Sequence, residues 1–161
     1  QNTHLHLIVE AADKDALTFG MRAFQISAAK RLNAMFSRRR RLAKRRRGLV
    51  FLDRYHAEDL ASVRQVRNAL SYVLNNWRRH RVDTSTSIDL CAGHLDPYAS
   101  GLSFAGWREA LPPPGRLPRD YESAPTSMPR TWLLSTGWTK GPPLSCFAIP
   151  GPRPRKTFEA R

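Results

Sequence analysis

The order of apolar and polar positions divides the first half of the chain into distinct elements. His4-Leu5-His6-Leu7-Ile8-Val9 is short, apolar and β-rich, and Glu10 to Asp13 break the pattern after it, which predicts a buried strand. Residues 14–36 contain no Pro and a single Gly, and Leu17, Met21, Phe24, Ala28, Leu32 and Met35 recur at helical spacing. They predict a helix with one apolar stripe against a core. Gly48 and the apolar Leu49 to Leu52 follow, leading into Asp53-Arg54-Tyr55-His56. Ser62-Val63-Arg64-Gln65 has the spacing of a capping box, so a second helix is predicted over 63–80. Its apolar face is Val63, Val66, Leu70, Val73 and Trp77. Tyr72 lies off that stripe and shares another face with Gln65, Asn68, Asn76 and Arg79.

Composition changes this picture at one place. All 12 prolines fall between Pro97 and Pro154, so a boundary is expected around residues 82–96, with one domain over 1–82 and a Pro- and Trp-rich extension over 83–161. Few regular elements are expected in the extension beyond a short helix at Trp132 to Ser135, and its aromatics are expected to pack on the main domain. Cys91 and Cys146 are far apart and outside any CxxC spacing, which predicts two reduced thiols without a function. No segment approaches the length of apolar chain that crosses a bilayer, and no leader precedes the first strand, so a cytoplasmic protein is expected. Gln1 stands where a Met would start a chain and core-like sequence begins almost at once. The expectation is that an N-terminal portion is missing.

Charge points to the partner. The 27 Lys and Arg against 13 Asp and Glu leave a formal net charge of +14, a field that gathers polyanions, nucleic acid before an anionic membrane. Between Ser37 and Arg47, eight of eleven residues are basic: Arg38, Arg39, Arg40, Arg41, Lys44, Arg45, Arg46 and Arg47. Such density self-repels and predicts a loop that contacts phosphates without reading sequence.

Two constellations have the residue types for chemistry. On a strand, His4 and His6 point to the same face, a workable chelate for a borderline divalent ion that would need a further ligand. On the second helix, Tyr72 and Asn76 stand four residues apart, so a phenol and an amide share a face. The plain alternative, a half-buried aromatic beside a solvated amide, stays open on these residues alone. Tyr55 is a competing phenol, but it precedes the helix and the residue four positions on is Asp59 rather than an amide. His80 and His94 fall outside any motif and are read as surface residues.

Three segments then occur in a familiar order: His4-Leu5-His6, Asp53-Arg54-Tyr55-His56-Ala57, and Asn68-Ala69-Leu70-Ser71-Tyr72-Val73-Leu74-Asn75-Asn76. In these the chain resembles the REP-associated tyrosine transposases, members of the HUH single-tyrosine nucleases. The resemblance covers residues 1 to about 82. It extends more loosely through Asp96-Pro97-Tyr98-Ala99-Ser100, Gly106-Trp107 and Trp132-Leu133-Leu134 to Gly137-Trp138. It implies an α+β, ferredoxin-like HUH nuclease domain lacking its N-terminal strand and helix, with an irregular Pro-rich tail.

The same resemblance implies a metal-dependent DNA strand transferase. A divalent ion, Mg or Mn, would be held by His4, His6 and Asn76, and Tyr72 would attack a phosphate of hairpin-flanked single-stranded DNA, giving a 5′-phosphotyrosine and a free 3′-hydroxyl. The basic run, Arg54 and Arg79 would contact the DNA, and the protein would act as a monomer or homodimer. Many relatives have Pro after the amide, whereas Trp77 follows Asn76, so the helix is expected to continue. Two rival classes stay open: a non-catalytic DNA-binding remnant, and a basic RNA-binding module, the latter without an aromatic RNA-binding stretch.

Overall fold

The computed structural model describes residues 5–79, 95–110 and 121–151. They belong to two compact units, one formed by residues 9–59 and the other by residues 1–8 together with 60–161. The composition change near residues 82–96 therefore falls inside the second unit.

The unit of residues 9–59 is built on helix α1, Lys14–Arg39. Asp13 caps it: the carboxylate accepts the Ala16 amide at 2.7 Å, satisfying one of the free donors of the first turn. Past the expected end, α1 takes in Arg38 and Arg39, whose charges suit the negative end of the helix dipole. The stripe expected to face a core is only partly covered at Leu17, Met21, Ala28 and Leu32 and is exposed at Phe24 and Met35, while the buried side chains are the polar Asn33 and Ser37. The reason is a fold-back: after α1 the chain turns at Arg41, in the left-handed region, and returns past the last turns of the helix. Ser37 Oγ donates to Asn33 O at 2.8 Å and accepts the Arg46 amide at 2.7 Å, and Asn33 Nδ2 donates to Gly48 O at 3.0 Å. Gly48, at φ 113°, supplies the bend that closes this hook. The apolar segment after it contributes Phe51, whose ring lies 6.5 Å from that of Phe24.

The second unit is organised by helix α2, Val63–Arg79. The capping box forms, with the Ser62 hydroxyl accepting the Gln65 amide at 3.2 Å. The Gln65 side chain reaches back to the Ala61 amide at 2.9 Å and the Ser62 hydroxyl at 3.0 Å. Val66, Leu74 and Trp77 form the core with Leu95, Leu144 and Cys146. The tail supplies a 3₁₀ turn at Ser100–Ser103, helix α3 at the expected Trp132–Ser135, and a further 3₁₀ turn at Gly137–Lys140. Its aromatics cluster: the Phe104 ring lies 5.1 Å from those of both Trp107 and Trp138, and Trp107 Nε1 donates to Gly101 O at 2.9 Å.

Among the described residues no sheet forms, and the pairing present is an isolated parallel bridge between Trp107 and Leu144. The segment expected as a buried strand is irregular from Leu5 onward and has no ladder partner there. It keeps a two-residue alternation: Leu5, Leu7 and Val9 are exposed, whereas His6, Ile8 and Glu10 are partly covered.

Candidate functional site

Tyr72 is set by the phase of α2. Its neighbours Val66, Leu74 and Trp77 turn into the core, leaving the phenol half-buried at the side of the helix. There it meets the extended segment. Tyr72 Oη lies 3.5 Å from His6 Nε2, and the two rings meet edge to face, 4.9 Å apart at 88°. The hydroxyl contact is at the outer limit of a hydrogen bond, so much of the attraction is aromatic. The Arg79 guanidinium carbon lies 5.9 Å over the Tyr72 ring, and its Nη1 donates to Gly151 O at 2.8 Å.

One helical turn beyond Tyr72, Asn76 is 6% exposed, and its Oδ1 has no hydrogen-bond partner among the described residues. An amide oxygen buried without a donor costs of order 1–3 kcal/mol, and a cation bound there would remove that cost. Two neighbours share the property: Asn75 Oδ1 and Trp77 Nε1 are also buried without partners, so the orphaned oxygen at Asn76 marks a fit rather than a unique signature. His4, the remaining expected ligand, lies outside the described residues, as do His80, Cys91 and His94. Among the described residues no group of three His, Cys, Asp or Glu gathers as a metal site.

The other expected contact residues belong to the unit of residues 9–59. Arg38 and Arg39 end α1, Arg40 to Arg47 form the hook, and Arg54 is exposed beyond it. The hook is more ordered than a self-repelling loop. Besides the Asn33 and Ser37 bonds, the Arg46 guanidinium carbon stacks 5.4 Å above the Phe36 ring and Arg45 reaches Lys30 O at 3.4 Å. Tyr55 has a structural partner. Thr18 Oγ1 donates its proton to Lys14 O at 2.8 Å, so the Tyr55 hydroxyl, 3.1 Å away, is the donor to Thr18.

Sequence reasoning missed the residues that tie the tail to α2. Asn75 Nδ2 donates to Ser145 O at 3.0 Å, Arg78 Nε to Cys146 O at 2.7 Å, and the Arg67 guanidinium bridges Trp138 O and Pro142 O. Opposite them, Glu109 accepts the Ser145 hydroxyl at 2.6 Å and the Cys146 amide at 2.9 Å. Burial alone would raise the Glu109 carboxyl, but these bonds outweigh it and hold it at about 2. Burial, reinforced by the Glu109 charge, pushes the Cys146 thiol up to about 11. The one available signal was a run of polar residues, Asn75, Asn76 and Arg78, on a helix flank that a solvated reading would leave bare.

No helix among the described residues is long and apolar enough to cross a membrane. No protein-family model, no curated protein and no solved structure matches the chain.

Proposed function

We propose that this chain is the nuclease part of a single-strand DNA transposase of the HUH single-tyrosine class, with Tyr72 as nucleophile and His4, His6 and Asn76 as the metal set. The observation that carries the reading is the pairing of Tyr72 Oη with His6 Nε2 at 3.5 Å, between residues 66 positions apart in sequence. The orphaned Asn76 Oδ1 on the same flank of α2 fits an oxygen ligand to a cation. A divalent ion bound by these residues would act as a Lewis acid toward a scissile phosphate.

The chain's own groups supply the rest. Tyr72 Oη attacks phosphorus, the bond from phosphorus to the 3′ oxygen breaks, and the DNA leaves with a 3′-hydroxyl while its 5′-phosphate stays on the tyrosine. The Tyr72 proton passes to solvent as the new bond forms and the departing 3′ oxygen takes one up from solvent, while Arg79, stacked on the ring, places positive charge beside the attacking oxygen. Because the phosphodiester energy is conserved in the phosphotyrosine, a 3′-hydroxyl can attack it and rejoin the strand without a nucleotide cofactor. The basic unit around Arg38 to Arg47 and Arg54 holds the DNA backbone.

The test is to incubate the protein with labelled hairpin-containing single-stranded DNA and manganese and to look for an adduct that survives denaturation. The wild type should give the adduct, Tyr72→Phe should give none, and His6→Ala should give much less. An adduct that persists in Tyr72→Phe refutes the assignment of the nucleophile. Salt-sensitive binding with no adduct in the wild type makes the chain a DNA-binding remnant, and a preference for RNA makes it an RNA-binding module.

A further inference from the structure

The basic run is divided by its fold. From Ala16 to Leu52 the chain has eleven Lys and Arg and no Asp or Glu, so the stretch that forms the hook carries no acid of its own. Among the described residues none of Arg38, Arg41 and Arg45 has a carboxylate partner. A chain with this density of like charge would be expected to spread apart. Instead it is pinned against the last turns of α1 by the buried Asn33 and Ser37, which hold the main chain at Gly48 and Arg46. The pinning uses the backbone and two neutral side chains, and the contact made by the Arg45 guanidinium is a long one, 3.4 Å to Lys30 O.

The consequence is a cleft. Arg38, Arg41 and Arg45 line it together with Ser37, Ala34 and Leu42, and its volume of about 630 Å³ exceeds what a bare ion needs. It lies in the range of small-molecule sites, which run from about 300 to 1,000 Å³. The lining thus combines three guanidinium-bearing side chains with the apolar side chains of Leu42 and Ala34 in one open depression. Arg46 is differently employed: its amide is bound to Ser37 and its guanidinium is stacked on Phe36. Arg31, Arg39 and Arg47 do not line this cleft.

We propose that the α1 hook is a preformed seat for one nucleotide unit of a nucleic-acid strand. Arg38, Arg41 and Arg45 grip its phosphate by bidentate hydrogen bonds, and the other cations of the run act only as a diffuse field. The seat rests on the reading of the partner as nucleic acid, and it is independent of Tyr72 chemistry. A planar guanidinium fork matches the oxygens of a phosphate, and lysine keeps the charge while losing the fork. Arg-to-Lys substitution therefore separates a built seat from a field, because a field responds only to charge.

The experiment measures the binding of a labelled 20-residue oligothymidylate across a salt series. It compares the wild type, R38K/R41K/R45K, and the charge-matched set R31K/R39K/R47K, with circular dichroism to check folding. The expected result is an affinity loss of about tenfold in the cleft set against less than about twofold in the other, with similar salt slopes in all three because total charge is unchanged. Equal losses in the two sets, or none in either, overturn the seat while leaving the adduct assay of Tyr72 unaffected. An oligothymidylate that fails to bind the wild type at low salt overturns both the seat and the DNA reading. A cleft-set loss seen on phosphatidylserine vesicles but not on the oligonucleotide overturns the seat in favour of a lipid surface.

Discussion

Glu109 is where one side chain ties two segments of the tail together, and its replacement by Gln puts a number on that role. Its two carboxylate oxygens accept the Ser145 hydroxyl at 2.6 Å and the Cys146 amide at 2.9 Å, and its side chain is 18% exposed. The Arg108 ion pair, 3.1 Å away on a side chain 65% exposed, adds little. In Glu109→Gln the amide oxygen can keep the Cys146 bond and the new NH₂ can donate to Ser145 Oγ, so what is lost is the negative charge that strengthens both bonds. A hydrogen bond to a charged group contributes about 1.5–3 kcal/mol, which sets the expected loss at about 2 kcal/mol at neutral pH. The depression of the carboxyl from 4.5 to about 2 sets an upper bound near 3 kcal/mol. The sign follows from the direction of the shift. A carboxyl depressed in the folded state stabilises the protein fully above its ordinary value of 4.5, and that stabilisation is lost as the pH falls through about 2. Urea unfolding of wild type and variant at pH 7, 5, 4 and 3 should show a difference that is constant down to about pH 5 and about half as large by pH 3. A difference that stays flat across the whole series would refute the assignment of the stabilisation to an ionised Glu109.

Two further outcomes test the local arguments. Ser62→Ala removes the hydroxyl that caps α2 and should cost about 1 kcal/mol, visible as a lowered thermal midpoint, whereas Ser62→Asp should retain most of the stability. In Gly106→Ala the new methyl group would fall on the Trp138 ring and lie 2.6 Å from Phe104 Cζ. The expected cost is about 1–3 kcal/mol by calorimetry, against a gain of about 0.5–1 kcal/mol for the control Gly20→Ala, which meets nothing within 4 Å inside α1.

The elements that the sequence makes legible are those whose cause is local. The capping box at Ser62 and Gln65, the extent of α2 to within one residue, and α3 at Trp132 all follow from side chains within a few positions of each other. The displacement of Tyr72 from the apolar stripe is legible for the same reason, since helical phase needs no tertiary information. His6 beside Tyr72 was expected only through the family resemblance, because a contact between residues so far apart leaves no periodic signal. The burial of Asn75, Asn76 and Arg78 was not legible, since it depends on a tail about 70 residues further on returning its carbonyls to the helix. The stripe on α1 is covered only in part for a related reason. Its periodicity is real, but the segment returning along that helix binds its polar Asn33 and Ser37, and the apolar positions Phe24 and Met35 stay exposed.

The tail is recognised by its main chain. Arg67, Asn75, Arg78 and Arg79 all donate to backbone carbonyls, at Trp138, Pro142, Ser145, Cys146 and Gly151, and every amino acid offers such an oxygen. Substitutions at those five positions therefore leave these acceptors in place, and the side-chain constraint falls on Trp138, Ser145 and Cys146 through their own packing and bonds. Shortening is a different matter. A chain cut near residue 82 would leave Asn75 and Arg78 with donors and no acceptors, and would uncover the flank of α2 that now closes over Leu74 and Trp77. The helix that presents Tyr72 is thus completed by a segment that need not touch any substrate, and the smallest piece able to hold that tyrosine in place extends to the end of the described tail.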